Sequence, residues 1–224
     1  MITNKILQTV FRIICGNSLG SAFTIENGET QYIVTAKHLF EIMSFPSESD
    51  ISILRNGRYE SYHVRIYYHK NSNVDAVVLK TVPYIQIAPF FNNMLTVEGL
   101  ILGQDVFFLG FPYDYESLVT NLPGERTPTP FVKKACVSGI TAGNKTLFLD
   151  GINNPGFSGG PVCFTKPGKN DYQIAGVINS YRFDRKELFA PGDKSTGFYF
   201  RENTGIINVC NIMQVLSIIE DNDL

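Results

Sequence analysis

About a dozen short runs rich in Val, Ile, Phe, Tyr and Thr recur along this chain, each closed by Gly, Asn, Pro or Asp. They cover residues 6–14, 20–26, 31–37, 51–55, 61–69 and 75–80, then 104–112, 131–140, 146–150, 160–165, 172–180 and 196–202. Asn27-Gly28 and Asn56-Gly57 each sit between two such runs, where both residues can adopt the positive φ of a tight hairpin. This spacing predicts an all-β barrel or sandwich. Residues 83–99 hold two prolines and no alternation, and read as a connector between two six-strand halves. Residues 38–43 fit a single helical turn, and 208–220 carry apolar side chains at helical spacing, predicting a C-terminal amphipathic helix.

With 224 residues, 44% hydrophobic and 18% charged, the chain can bury a core as one compact domain or two small lobes. A net charge of −2 supplies no general field for nucleic acid or an anionic membrane. No run approaches the ~20 apolar residues that cross a bilayer. The N-terminus alternates polar and apolar residues like a first strand rather than a secretory signal, so the expected location is cytoplasmic. The four cysteines, Cys15, Cys136, Cys163 and Cys210, are far apart in sequence, and no CxxC pair offers a metal site. Three lie in apolar segments and are expected as buried free thiols. No cofactor and no metal is expected. The charged DRKE at 184–187 reads as part of a solvated loop.

The chemistry concentrates at residues 153–162, NNPGFSGGPV. Gly156, Ser158 and Gly160 satisfy Gly-x-Ser-x-Gly, the strand-to-helix elbow of α/β-hydrolases. That fold needs its histidine after the serine. Here His38, His63 and His69 all precede Ser158, and alternating βα units are missing. The order His, Asp, Ser remains. Serine is a weak nucleophile until a base takes its proton, and the base needs an acid to fix its tautomer. His38 follows the apolar run 31–37, Asp75 opens the run 75–80, and Ser158 stands on a Gly-rich loop. The amides around Gly156, Phe157 and Ser158 can converge on an oxyanion, with Gly156 and Ser158 as the donors. His63 and His69 read as surface or structural groups, and Asp50 and Asp105 are alternative acids.

The strings TAKHL (35–39), NVDAVVLK (73–80) and PGFSGGPV (155–162) resemble the three motifs of trypsin/chymotrypsin-like serine peptidases, in the same order. GSAF (20–23), QDVFFLGFP (104–112), IAGVINS (174–180) and TGFYF (196–200) add matches over most of the chain. The resemblance implies two six-stranded antiparallel β-barrels with a short C-terminal α-helix: residues 1–90 carrying His38 and Asp75, residues 91–205 carrying Ser158, and residues 206–224 the helix and tail. It places the acid in the first barrel, which disfavours Asp105. It implies a serine endopeptidase that acts on a protein or peptide substrate through an acyl-enzyme, with no nucleic acid or membrane partner.

Departures narrow the likeness. Phe157 stands where secreted, zymogen-activated members carry an Asp, and Leu39 replaces their cysteine after the histidine. The chain is closer to bacterial trypsin-like and HtrA-type peptidases, without a PDZ domain after the helix. In the resemblance, Ile152 occupies the floor of the specificity pocket, Asn179, Ser180 and Tyr181 its wall, and Gly197 its mouth. An uncharged floor predicts an apolar residue before the scissile bond rather than Lys or Arg. A second reading stands beside the enzyme: a silent or partner-activated double-barrel binding module, with Phe157 upsetting the oxyanion loop.

Overall fold

A computed structural model describes residues 2–119, 127–141, 143, 145–169 and 171–224. Six strands, β1 (Val10–Cys15), β2 (Ser18–Asn27), β3 (Thr30–Thr35), β4 (Glu48–Arg55), β5 (Arg58–Tyr68) and β6 (Val77–Thr81), close into a barrel in the order β1-β2-β3-β6-β5-β4. Both Asn-Gly pairs sit at its hairpin turns, with Gly28 and Gly57 at positive φ. Ile13, Ile33, Phe40, Ile51, Ile53, Val64 and Leu79 fill its interior.

The second half contains β7 (Met94–Leu95), β8 (Asp105–Gly110), β9 (Ser117–Val119), β10 (Thr127–Thr129), β11 (Phe131–Ile140), β12 (Thr146–Asp150), β13 (Pro161–Thr165), β14 (Tyr172–Ala190) and β15 (Lys194–Asn211). Its main sheet runs β13-β8-β11-β12-β15-β14-β7. Pairing of β13 with β14 joins this sheet into a six-stranded ring, with β7 attached outside in parallel to β14. β9 and β10 form a separate hairpin. Val106, Phe108, Val137, Leu149, Phe164 and Val209 fill the ring.

A third apolar cluster welds the halves together. It joins Phe23, Ile25 and Tyr32 of the barrel to Leu109, Ile174 and Val177 of the ring. The C-terminal helix α2 (Ile212–Asp221) covers this seam with Ile212, Val215, Ile218 and Ile219, one stripe at helical spacing. Its cap is Asn211, whose side chain accepts from the Met213 N–H at 2.9 Å. The connector is held by a buried amide: Gln31 Oε1 accepts from the Ile87 and Ala88 N–H groups, and Nε2 donates to the Ala88 carbonyl.

Three local expectations are corrected. The first run does not begin as a strand: Asn4–Leu7 forms a short helix α1, and the strand starts at Val10. Ile6 sinks into the seam, and the Thr9 hydroxyl bonds back to the Ile6 carbonyl, which closes the turn. The C-terminal helix starts at Ile212 rather than 208, because β15 stays paired with β12 up to Cys210. Residues 182–194 are mostly strand: 182–190 continue β14, a turn at 191–193 leads into β15, and the two strands build an exposed arm. Arg185 stacks on Tyr199 at 4.0 Å and Arg201 on Phe183 at 4.4 Å, so the charges that suggested a solvated loop stiffen a ribbon instead.

Ile218 is fully buried in the seam. Ile218→Ala is expected to lower the unfolding free energy by about 2–5 kcal/mol, measured by urea denaturation. A loss below about 1 kcal/mol would contradict a close-packed seam.

Candidate active site

Strand pairing places the first two residues. Thr35 of β3 is opposite Val77 of β6. Three residues past Thr35 and two before Val77, the chain brings His38 and Asp75 face to face. Leu39 and Phe40 are buried and anchor the 3₁₀ turn Lys37–Met43, which leaves His38 at the rim, 37% exposed. His38 Nδ1 lies 2.8 Å from Asp75 Oδ2, and the His38 backbone N–H donates to Oδ1 at 2.8 Å. A carboxylate facing Nδ1 keeps the proton there and leaves Nε2 free to accept another. Burial pushes the Asp75 carboxyl upward. The hydrogen bond and charge of His38, its backbone N–H and the charge of Lys37 outweigh that, and hold Asp75 below the ordinary carboxylate value.

Ser158 arrives from the other half, on the loop between β12 and β13. Ser21 N–H donates to the Ser158 carbonyl at 2.8 Å, and Gly159 N–H to the Ile178 carbonyl at 2.7 Å. The approach leaves no room for a side chain. A Cβ on Gly159 would lie 2.0 Å from the Ser21 carbonyl oxygen and 2.2 Å from Thr35 Oγ1, and its φ is +86°. The nucleophile loop is thereby pressed against the strand end that leads to His38. Ser158 Oγ donates to the Asn179 carbonyl at 3.0 Å. Oriented to satisfy its neighbours, the Asn179 side-chain amide places its nitrogen as a donor to the backbone carbonyls of Asp75 at 3.0 Å and Val177 at 3.1 Å. Asn179 therefore connects the serine to the segment that bears the acid.

The oxyanion loop is fixed from several sides. Gly156 has φ +100°, and a Cβ there would strike the Phe111 carbonyl at 2.3 Å. Its own carbonyl accepts from Ser21 Oγ at 2.7 Å, while Ser21 Oγ accepts from the Phe111 N–H at 3.0 Å. The Phe157 N–H is bonded to the Asn154 carbonyl at 3.3 Å, which takes it out of use as a donor to substrate. The hydrogen bonds of the described residues leave the N–H groups of Gly156 and Ser158 uncommitted. Phe157 itself is 0% exposed and meets Phe108 edge-on at 4.9 Å, filling the ring's core.

Sequence reasoning passed over Lys133 on β11. Its Nζ bonds the Ile152 carbonyl and Asn154 Oδ1, and stands 5.8 Å from the ring centres of Phe108 and Phe157. One ammonium thus ties the approach to the nucleophile loop; a lysine twenty-five residues upstream of Ser158 carries no local signature of that role.

The expected pocket residues separate into two groups. Ile152 and Asn179–Tyr181 flank the serine loop, with Ile152 51% exposed. Gly197 lies near the tip of the arm, between Ser195 and Tyr199, which pair with Phe189 and Glu187. That is about 20 Å along the ribbon from Tyr181. Beside Ile152 stands Gly205, whose carbonyl accepts from the Gly151 N–H at 2.9 Å and whose Cβ position is 4.0 Å from the Ile152 side chain. Asn203 reinforces this corner by donating to the Asn153 carbonyl at 2.8 Å.

A second His–carboxylate pair exists. His63 Nδ1 is 2.8 Å from Asp50 Oδ1, with Glu48 3.6 Å from its other nitrogen, on the open outer face of the barrel. The hydrogen bond to Asp50 leads the causes that raise the His63 pKa. His69 only accepts from the Asn71 N–H, and Asp105 pairs with Lys134 at the surface. Cys15, Cys163 and Cys210 are buried, and burial pushes the Cys15 thiol up to about 12. A cavity is lined by Leu7, Val10, Phe11, Leu54, Ile87 and Pro128, and none of His38, Asp75 and Ser158 lines it. Among the described residues, no helix is long and apolar enough to cross a membrane.

Two outcomes check this geometry. Phe157→Ala is expected to cost about 3–5 kcal/mol of stability by emptying a core site, read by chemical denaturation. Because the folded Asp75 is held below its ordinary value, its ionised form stabilises the fold above the ordinary carboxylate range. That stabilisation is lost as the pH falls through the lowered value. The stability gap between wild type and Asp75→Asn should therefore shrink between pH 6 and pH 3; a constant gap would mean the carboxylate is not so held.

Residues 20–168, more than half of the chain, match the family described as trypsin-like peptidase domain. No curated protein sequence matches the chain. Among solved structures, the chain is similar to the HtrA-type protease AlgW with a tripeptide (17% identity, 98% of this chain and 62% of that one, TM-score 0.60). It is also similar to Deg5 (20% identity, 95% and 87%, TM-score 0.59). A third is an inactive form of the Rv3671c protease of M. tuberculosis H37Rv (15% identity, 96% and 89%, TM-score 0.56). At these identities the likeness speaks for the fold.

Proposed function

The chain belongs to the trypsin-like peptidase family, and on that premise we propose that it is a serine endopeptidase with Ser158 as nucleophile, His38 as base and Asp75 as orienting acid. The observation that supports this reading best is the part-buried His38–Asp75 pair, with Nδ1 2.8 Å from Oδ2 and the His38 backbone N–H on Oδ1.

For reaction, Ser158 Oγ leaves Asn179, gives its proton to His38 Nε2 and attacks the scissile carbonyl. Asp75 stabilises the imidazolium that forms. The free N–H groups of Gly156 and Ser158 receive the oxyanion, each such donor contributing roughly 10²–10³ in rate. His38 then protonates the leaving amine, and water hydrolyses the acyl-enzyme by the same path in reverse. Ile152, Asn179, Ser180 and Tyr181, with Gly205 in place of Gly197, favour an apolar residue before the scissile bond. The hydroxyl resting on Asn179 also gives the runner-up a concrete form: a double-barrel module that becomes competent only after a partner or substrate redirects that proton.

A fluorophosphonate probe tests the reading. It should label the wild type, and fail on Ser158→Ala and His38→Ala, while His63→Ala labels normally. Peptide hydrolysis by the Ser158 or His38 variant should fall by on the order of 10⁶-fold. No labelling of the wild type under any condition, partner included, would favour the module. Loss of labelling in His63→Ala would move the base to the other His–carboxylate pair.

A further inference from the structure

The arm built by β14 and β15 begins at the nucleophile. Tyr172–Val177 of β14 is paired with β13 on one side, but outward of Asn179 the described residues pair β14 only with β15. One edge of β14 is therefore open from the residue that holds Ser158 Oγ to the tip near Ala190. The Arg182 carbonyl faces β15, where it accepts from Thr204 Oγ1 at 3.0 Å. The Arg185 N–H bonds the Asp184 carboxylate instead of β15, and alternation over the regular stretch from Phe183 to Glu187 turns the N–H and C=O groups of Phe183, Arg185 and Glu187 to the open side.

We propose that this edge is an extended substrate-binding rail, which pairs with the polypeptide on the acyl side of the scissile bond well beyond the few residues held at Asn179–Tyr181. The inference rests on the peptidase reading. A chain whose scissile carbonyl sits at Ser158 and which runs antiparallel to β14, the stronger ladder, sends its N-terminal side outward along the arm. From Tyr181 to Glu187 the rail spans about 20 Å, enough for roughly seven substrate residues.

Two features suit the arm to that use. A lone two-stranded ribbon is marginally stable in water. The stacks of Arg185 on Tyr199 and Arg201 on Phe183 brace this one, which lowers the ordering cost of binding. Phe183 and Phe189 of β14 are 52% and 60% exposed, apolar surface beside the open edge for alternate side chains. The edge is also shielded: Asp184 Oδ1 accepts from the Arg185 N–H at 2.8 Å, a charged cover of the kind that keeps open edges from pairing with one another. The occupant is thus an extended, unfolded segment with apolar residues at every second position, which displaces the Asp184 carboxylate as it pairs.

The test uses the full-length Ser158→Ala protein, so that binding is read without turnover. Fluorescein-labelled peptides of alternating Thr and Val, ending in Leu-Ala-Ala, carry three, six or nine residues before the Leu-Ala bond. Anisotropy titration should show affinity rising at least ten-fold from three residues to nine. Replacing Arg185–Arg201 with Asn-Gly, which joins the paired residues Asp184 and Glu202 through a two-residue turn, should abolish the rise. N-methylation of alternate upstream amides should abolish it in one register and spare it in the other, independently of any protein variant. Equal affinity at all lengths, a rise that survives loss of the arm, or equal tolerance of both methylation registers would overturn the rail. Arm-dependent self-association in sedimentation without a length effect would assign the edge to a second copy instead. Failure of wild-type fluorophosphonate labelling bears on the peptidase reading, and is scored separately.

Discussion

Everything at the site depends on one close backbone approach. The Ser158 carbonyl accepts from Ser21 of the barrel, while Gly159 binds Ile178 of the ring with no space for a Cβ. Two halves with separate interiors are thus joined at the residue whose position matters most. The apolar seam under α2 supplies the cohesion, and the Gly159 contact holds the Ser158 loop against Ser21 and against Thr35, on the strand that leads to His38. Thr35 acts twice: its hydroxyl donates to the Ser21 carbonyl at 2.7 Å, and its strand delivers His38 three residues later.

Phe157 shows how one mechanical need can be met by different chemistry. A charged side chain before the nucleophile holds the loop only once a partner charge is present, since an unpaired buried charge is costly. A buried aromatic needs no such event. Phe157 locks by shape against Phe108, its N–H closes on Asn154, and Ser21 fixes the Gly156 carbonyl. The oxyanion loop is therefore held by contacts within the chain. The Ser158 hydroxyl itself rests on the Asn179 carbonyl.

The legible part of this protein was what local rules express. The β runs, the Asn-Gly hairpins and the order of His38, Asp75 and Ser158 depend on nearest neighbours and alternation, so they can be read in one dimension. The closed first barrel and the terminal helix follow from them. The rest depends on long-range pairing. Lys133 acts across the ring, and the two bonds of Asn179 point to segments that only the fold brings together. The arm was hidden because its stabilising pairs are cross-strand: Arg185 and Arg201 look like solvated charge until Tyr199 and Phe183 are placed beside them. The same displacement explains Gly197 and Gly205. Both are plausible small residues near the end of a strand, and only the register of the ribbon puts Gly205 beside Ile152.

The two His–carboxylate pairs show why distance alone does not identify a catalytic base. His38–Asp75 and His63–Asp50 are both 2.8 Å apart, and a search for dyads would rank them equal. They differ in surroundings. Asp50 is 74% exposed, so water screens its charge and shares its hydrogen bonds, and the pair does little more than decorate the barrel surface. Asp75 is 26% exposed and bonded to both the ring and the backbone of His38. Its residual burial makes an imidazolium formed beside it worth more, because less solvent competes for the charge. The Gly159 contact also holds the Ser158 loop against the strand end that leads to His38, whereas His63 stands on the outer face of the barrel. On the proposed reading, the same pair of side chains is a base in one setting and a surface ion pair in the other, and the setting is written by Thr35, Ser21 and Gly159.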